Sequence, residues 1–129
     1  MNAIVCLCKS TPSAYRELIE RNISISKTIN KEGIHPLIVF HENNISDKDQ
    51  FFIRKQTPNQ NIEFVDISSS WGGHGYTSMC KFFYYDIWNY CKDYDNILRV
   101  DTDCLIRRSD YDIFEYSDSC VFVSPYFWR

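Results

Sequence analysis

Residues 94–103 read Tyr-Asp-Asn-Ile-Leu-Arg-Val-Asp-Thr-Asp, a short apolar run that ends on two carboxylates. The apolar residues predict a buried strand, and Asp101 and Asp103 then fall at its carboxyl end. Open α/β sheets bind their ligands at the carboxyl ends of their strands. Side chains two residues apart in an extended segment point the same way. Both acids, and Arg99 before them, are therefore predicted to line one surface.

Two neighbouring carboxylates repel each other, and a divalent cation would turn that repulsion into attraction. Two strand residues span roughly 6–7 Å, whereas metal–oxygen distances are only about 2.0–2.6 Å. We therefore expect one acid to bind a metal directly and the other to bind a metal-bound water or a sugar hydroxyl. The alternative is a solvated Asp-x-Asp turn that binds nothing.

The rest of the chain predicts strands and helices in alternation. Strands are expected at residues 3–8, 37–40, 62–67, 97–100 and 120–123, and helices at 12–30, 48–55 and 76–92. This order argues for an α/β fold, with a Rossmann-like, mostly parallel sheet flanked by helices. With the strand order 3-2-1-4, strands 1 and 4 become neighbours whose connections diverge, and a ligand crevice opens between them.

The predicted helices carry recognisable start and stop signals. Ser10 or Thr11 is the expected N-cap of the first helix, and Gly33 is expected to end that helix. Ser46 or Asp47 is the expected N-cap of the second helix. Apolar residues cover much of the 76–92 helix, which predicts that other structure covers most of it. Its two apolar rows are Met79, Phe83, Ile87 and Tyr90, and Cys80, Tyr84, Trp88 and Cys91.

Length and composition indicate one soluble domain, residues 1–129. The net charge of −3 without charged blocks argues against nucleic acid or a membrane surface as a partner. The first apolar run ends at Lys9, so we expect no signal peptide or membrane span and a cytoplasmic or otherwise soluble protein. The six cysteines form no Cys-x-x-Cys pair, which argues against zinc and predicts reduced thiols.

The predicted crevice combines carboxylates, a lysine and helix N-termini. Lys9 and Ser10 follow the first strand and, in the 3-2-1-4 order, face the two acids. Hard oxygen ligands favour Mn²⁺ or Mg²⁺, and helix N-termini favour phosphate. These features predict a nucleoside diphosphate held through a metal. Glu42, Asp66 and His74 are further candidates, each with the alternative of a solvent-exposed polar group.

The segment at residues 75–83, Gly-Tyr-Thr-Ser-Met-Cys-Lys-Phe-Phe, resembles a motif of one enzyme family. That motif is the Gly-Tyr-x-x-Met-Cys-Arg-Phe of fungal α-1,2-mannosyltransferases (glycosyltransferase family 15, the Kre2/Mnt1 type). Residues 99–101 are similar to that family's Arg-Val-Glu, in which the acid serves the metal, and residues 111–114 to its Tyr-Asp-x-Phe. The resemblance covers about residues 71–124 and implies a retaining GT-A enzyme that uses GDP-mannose and Mn²⁺.

The resemblance also implies roles for single residues. Tyr76 stands where the family has a nucleotide-side tyrosine, and Lys81 where it has an arginine. The family usually has proline after its acid, where this chain has Thr102, and Asp103 restores the Asp-x-Asp common in GT-A enzymes. Either aspartate therefore remains a candidate for the direct metal ligand.

The later part of the family, with its acceptor site, a further metal ligand and the nucleophile, has no counterpart here, and neither does its membrane anchor. We therefore expect the N-terminal, donor-binding half of a GT-A fold. The chain is then a fragment, works with a partner chain that completes the acceptor site, or has lost catalysis.

The sequence thus predicts a metal-dependent glycosyltransferase, or its donor-binding half, that transfers a sugar to a glycan or another hydroxyl acceptor. GDP-mannose is the favoured donor. No catalytic residue is assigned. The predicted nucleotide-sugar contacts are Lys9, Ser10, Tyr76, Lys81 and Asp101, and the predicted metal ligands are Asp101 and Asp103.

Two alternatives remain. One is a non-catalytic nucleotide-sugar-binding or scaffolding protein. The other is a haloacid-dehalogenase-type phosphatase, whose Asp-x-Asp follows its first strand and precedes most of the domain. Here three predicted strands precede the motif and only 26 residues (129 minus 103) follow it, which argues against the phosphatase.

Overall fold

A computed structural model describes residues 1–72, 75–107 and 114 of the chain. Its centre is a four-stranded, fully parallel sheet in the order β3-β2-β1-β4. The strands are β1 (Asn2–Leu7), β2 (Leu37–His41), β3 (Ile62–Asp66) and β4 (Asn96–Arg99). The predicted 3-2-1-4 order is therefore confirmed. Strand β4 lies beside β1, with Ile4 opposite Leu98 and Val5 opposite Arg99.

Helices connect the strands and begin at capping side chains. Helix α1 (Pro12–Lys27) starts at Thr11, whose hydroxyl accepts from the Ala14 amide, and α2 (Asp47–Lys55) starts at Ser46, which accepts from Asp49. A short 3₁₀ turn (Ser68–Ser70) follows β3. Before β4 come α3 (Gly75–Lys81), a π-helical turn (Phe82–Asp86) and α4 (Ile87–Tyr90).

The sheet separates two apolar clusters. One face packs on α1 and α2 through residues such as Ile4, Leu18 and Ile53. The other packs on the α3–α4 helix through Val5 and Phe82, among others. Burial on both faces explains why β1 and β2 read as continuous apolar runs.

The expectation that the 76–92 helix is covered on most sides is wrong. Tyr84 and Trp88, from the second predicted row, are 86% and 50% exposed, and Cys80 is exposed as well. The π-helical turn inserts an extra residue per turn and so shifts the buried face. Ser78, Phe82, Asp86, Ile87 and Cys91 are the buried residues of this segment.

Two smaller expectations also differ from the structure. Helix α1 ends at Lys27 rather than near Asn30, and Gly33 lies in the turn beyond it with a φ of 67°. Strand β4 is only partly buried, because in the described part of the chain it has a neighbour on one side alone. A feature that was not predicted is the complete burial of Arg21 in α1.

Some predictions lie outside the described residues, namely the strand at 120–123, the segment 111–113 and His74. Within the described part, none of the helices is long and apolar enough to span a bilayer. The described cysteines are free thiols, and Cys6, Cys8 and Cys91 are buried.

Candidate functional site

An open cavity of about 720 Å³ lies at the carboxyl ends of β1 and β4. The N-terminal turns of α1 and α3 border it, so two helix N-termini face the same space. This is the point where the connections from neighbouring strands diverge, as the strand order predicts. Charged and aromatic residues of its lining are Lys9, Glu17, Glu42, Trp71, Tyr76, Phe83, Arg99, Asp101 and Asp103.

Asp101 and Asp103 both line this cavity, together with Cys8, Lys9 and Thr11 from the end of β1 and the start of α1. The acids therefore face the loop after the first strand, as predicted. The segment that carries them turns immediately, since the Cys104 amide donates to the Asp101 carbonyl at 3.0 Å.

The carboxylate of Asp101 is held by Arg99. The Arg99 Nε donates to Oδ1 at 2.7 Å and Nη2 donates to Oδ2 at 3.2 Å, a two-point contact between half-exposed side chains. The same guanidinium lies over the Phe83 ring, 3.8 Å from its centroid, and Nη2 is 3.8 Å from the Met79 sulfur. Helix α3 and the π-helical turn thus fix Arg99, and Arg99 fixes Asp101.

The cavity lining is more negative than positive. Among its described residues, four carboxylates (Glu17, Glu42, Asp101 and Asp103) stand against two cations, Lys9 and Arg99. Such a lining attracts a divalent cation, and carboxylate oxygens are the ligands that Mn²⁺ and Mg²⁺ prefer. No group of three or more His, Cys, Asp or Glu residues able to hold a metal occurs among the described residues. A metal held by Asp101 and Asp103 would therefore need further ligands from outside the described residues, such as a bound molecule and water.

The remaining predicted contacts divide into two groups. Lys9 and Tyr76 line the cavity, and Tyr76 is 77% exposed. Ser10 does not line it: its hydroxyl donates to the Asn43 carbonyl at 2.9 Å. Lys81 does not line it either, and its ammonium pairs with Asp86 at 2.8 Å.

The further candidates also separate. Glu42 lines the cavity, and its carbonyl oxygen lies against the Ser68 hydroxyl. Asp66 does not, because it caps the turn after β3 by accepting from the hydroxyl and the amide of Ser68. These two hydrogen bonds, the hydroxyl's first, lower the pKa of the Asp66 carboxyl below its ordinary value.

Sequence reasoning missed several lining residues. Ser13 lies in the first turn of α1, and Trp71 in the loop before α3. Thr11 belongs to the loop after the first strand that was expected to face the two acids, and it lines the cavity as well. Met79 and Phe83 were assigned to the core, yet both reach the cavity while packing on Arg99.

Three solved structures match the chain closely in shape. The mannosyltransferase Ktr4p from S. cerevisiae matches with a TM-score of 0.70 and 17% identity, over 89% of this chain and 35% of that one. The same protein in complex with GDP matches with a TM-score of 0.72 and 17% identity, over 89% and 36%. The chain has their fold. Core-mannan synthase A (CmsA/Ktr4) from Aspergillus fumigatus, in its Mn/GDP form, matches with a TM-score of 0.68 and 15% identity, over 89% and 38%.

These matches confirm the GT-A-like α/β fold and the resemblance to fungal mannosyltransferases at the level of fold. The chain spans 35–38% of the length of the three structures. No protein-family model matches the sequence, and no curated protein matches it.

Proposed function

We propose that this chain is the donor-binding part of a glycosyltransferase and binds a nucleoside diphosphate sugar together with a divalent cation. The observation that carries the proposal is the meeting of Asp101, Asp103 and Lys9 in one cavity at the β1–β4 switch point. A site that combines two carboxylates with a lysine and helix N-termini suits a metal-bound diphosphate.

The proposal assigns roles to four side chains of the cavity lining. Asp101 and Asp103 would hold Mn²⁺ or Mg²⁺, and the bound cation would supply charge neutralisation to the leaving diphosphate. Lys9 and the N-terminus of α1 face the same cavity and would bind phosphate oxygens. The exposed ring of Tyr76 would pack against the nucleoside. Ser10 and Lys81 remain predicted contacts, although neither lines the cavity.

Guanine and mannose are the proposed base and sugar. This choice is supported by the fold shared with a mannosyltransferase solved with GDP and with a mannan synthase solved in an Mn/GDP form. The proposed reaction transfers the sugar to a hydroxyl of a glycan or another acceptor. We propose an acceptor site as well, which a partner chain completes.

Titration calorimetry tests the binding proposal. We expect GDP to bind more tightly than UDP and GMP, and only when Mn²⁺ is present. Asp103→Asn should weaken this binding at least tenfold, because it removes one carboxylate from the cation. Asp66→Asn is the matched control, since Asp66 is an exposed acid at the end of β3 outside the cavity. Binding of GDP that needs no metal and survives Asp103→Asn would contradict the proposal.

A second measurement separates an enzyme from a binding protein. Transfer from GDP-mannose to a glycan acceptor, or its slow hydrolysis, is expected of a glycosyltransferase. Tight metal-dependent GDP binding without turnover would instead identify a nucleotide-sugar-binding protein. The phosphatase alternative is disfavoured, because the two acids follow β4 and not the first strand.

A further inference from the structure

Helix α1 carries an arginine that is completely buried beside residues 100–106, the aspartate segment. Arg21 has an exposed fraction of 0%, and its Nε donates to the Val100 carbonyl at 2.9 Å. Its Nη1 donates to Asn22 Oδ1 at 2.6 Å. Val100 is the residue immediately before Asp101, so the buried guanidinium is anchored to the backbone at the start of the aspartate segment.

A second side chain of α1 holds the other end of the same segment. The Ser24 hydroxyl accepts from the Ile106 amide at 3.1 Å, while it donates to the Arg21 carbonyl at 2.8 Å. Residues 21 and 24 lie one helical turn apart and so point toward the same region. Helix α1 therefore forms hydrogen bonds to the chain at Val100 and again at Ile106, and the two acids lie between these residues.

Packing alone does not account for Arg21. Within the described residues it forms no ion pair, and its Nη2 has no hydrogen-bond partner. A buried charge without a carboxylate is costly, and well-packed apolar residues in place of buried charges are often at least as stable. What an apolar residue would not supply is the hydrogen bond to the Val100 carbonyl.

Arg21 and Asp101 both act on one buried thiol of β1. Burial raises the pKa of the Cys6 thiol, Arg21 acts against this rise, and Asp101 adds to it. The Cys6 thiol, on β1, is thus within electrostatic range of both the buried cation and the Asp101 carboxylate. This agrees with the hydrogen bonds in bringing α1 and the aspartate segment together.

We propose that Arg21 and Ser24 are positioning residues, which hold residues 100–106 so that the Asp101 and Asp103 carboxylates stay aimed into the cavity. Neither residue lines the cavity, and both act through the backbone of the segment. This inference rests on the proposed function for its effect on binding, and on the structure alone for its effect on the segment.

The test uses two variants and a matched control in the full chain. Arg21→Met keeps an unbranched side chain of about the length of the aliphatic part of arginine but removes the guanidinium and its hydrogen bonds, and Ser24→Ala removes the hydroxyl. Ser26→Ala is the control, because its hydroxyl donates to the Ile23 carbonyl within α1 at 2.7 Å and forms no hydrogen bond to residues 100–106. For each variant we measure unfolding in urea, Mn²⁺–GDP affinity, and amide hydrogen exchange at Cys104 and Ile106.

We expect Arg21→Met and Ser24→Ala to weaken Mn²⁺–GDP binding about tenfold and about threefold, and to speed exchange at Cys104. The loss of affinity in Arg21→Met should exceed what the change in its urea midpoint accounts for, which a merely structural role would not give. Ser26→Ala should change none of these quantities. Ser24→Ala keeps the test decisive if Arg21→Met fails to fold.

Unchanged exchange and affinity in a folded Arg21→Met or Ser24→Ala protein would overturn the inference. A loss of affinity that only follows a loss of stability, as a core truncation such as Leu18→Ala would produce, would overturn it too. If the wild type binds neither Mn²⁺ nor GDP while both variants still speed exchange at Cys104, the positioning of the segment stands and the proposed function fails.

Discussion

The guanidinium of Arg99 contacts both carboxylate oxygens of Asp101, at 2.7 Å and 3.2 Å. Arg99 is itself held over the Phe83 ring. The Arg99 guanidinium thus occupies the carboxylate oxygens of Asp101 to which a metal would bind. Asp103, the other acid of the pair, has no ion-pair partner among the described residues. The two acids therefore offer a metal unequal access, with Asp103 the more available.

Replacing Arg99 by Gln should strengthen the binding of Mn²⁺ in the absence of nucleotide. The substitution removes a positive charge beside the cation and frees the Asp101 oxygens. Two unit charges 4 Å apart in water interact by about 1 kcal/mol, and a divalent ion doubles this value. With salt screening we expect roughly a three- to tenfold lower dissociation constant, measured by the electron paramagnetic resonance signal of free Mn²⁺.

Arg99→Lys is the control for this prediction, since it keeps the charge while losing the two-point geometry. Its Mn²⁺ affinity should stay near that of the wild type. Weaker Mn²⁺ binding in Arg99→Gln would mean that Arg99 organises the site and does not compete with the metal.

The sheet was predictable because its strands carry strong local signals. Apolar runs with turn residues at both ends located all four described strands, and the Asp-x-Asp at the end of the fourth strand indicated the switch point between β1 and β4. The caps Thr11 and Ser46 were also among the predicted residues, because a hydroxyl before an apolar-periodic stretch is a direct helix-start signal.

The wrong predictions concern side chains whose burial depends on tertiary contacts. Tyr84 and Trp88 read as core because they repeat at helical spacing, but the π-helical turn, which has no sequence signature of its own, rotates them into solvent. The burial of Arg21 was not predicted, since a charged side chain is rarely buried without a partner. Its contact with Val100 joins residues 79 positions apart, which no local pattern reveals.

Gly33→Ala should destabilise the protein by about 2–4 kcal/mol. Gly33 has a φ of 67°, where a side chain is unfavourable, and an added Cβ would overlap the Asn59 carbonyl oxygen. Urea denaturation measures the loss. Gly75→Ala is the control, because a Cβ there meets nothing within 4 Å, and its stability should equal or slightly exceed that of the wild type. Equal stabilities for the two variants would show that the turn at Gly33 adapts.

Buried thiols predict a loss of stability at alkaline pH. Burial, with a smaller contribution from Cys6, raises the pKa of Cys8 from 9.0 to about 12, and burial raises that of Cys91 to about 11. Above pH 9 the unfolded chain loses these protons while the folded chain keeps them. The stability contributed by protonation is therefore complete below pH 9 and is lost as the pH rises toward 12.

Urea denaturation between pH 8.5 and pH 10.5 measures this effect. The wild type should lose roughly 2 kcal/mol more than Cys8→Ala over this interval, since one pKa unit corresponds to about 1.4 kcal/mol. Cys80→Ala, at an exposed thiol, should follow the wild type. Parallel pH profiles for the wild type and Cys8→Ala would contradict the raised pKa of Cys8.

The variant Lys81→Met decides between two roles of Lys81. One is the nucleotide contact that the sequence predicts, and the other is the ion pair with Asp86. In the structure the Lys81 ammonium lies 2.8 Å from the carboxylate of Asp86, a buried acid at the end of the π-helical turn. Removing the lysine leaves that carboxylate without its cation, so we expect a loss of about 1–3 kcal/mol in the free energy of unfolding. The double variant Lys81→Met/Asp86→Leu should recover part of this loss, because no buried charge then remains.

Nucleotide affinity supplies the other half of the comparison. Lys9→Met removes a cation that lines the cavity, and we expect it to weaken Mn²⁺–GDP binding about tenfold, because a hydrogen bond to a charged group contributes about 1.5–3 kcal/mol. Lys81→Met should change that affinity less than about twofold, because its ammonium is engaged by Asp86 outside the cavity. An equal loss in both variants would mean that Lys81 leaves Asp86 when nucleotide binds, and would return it to the set of phosphate contacts.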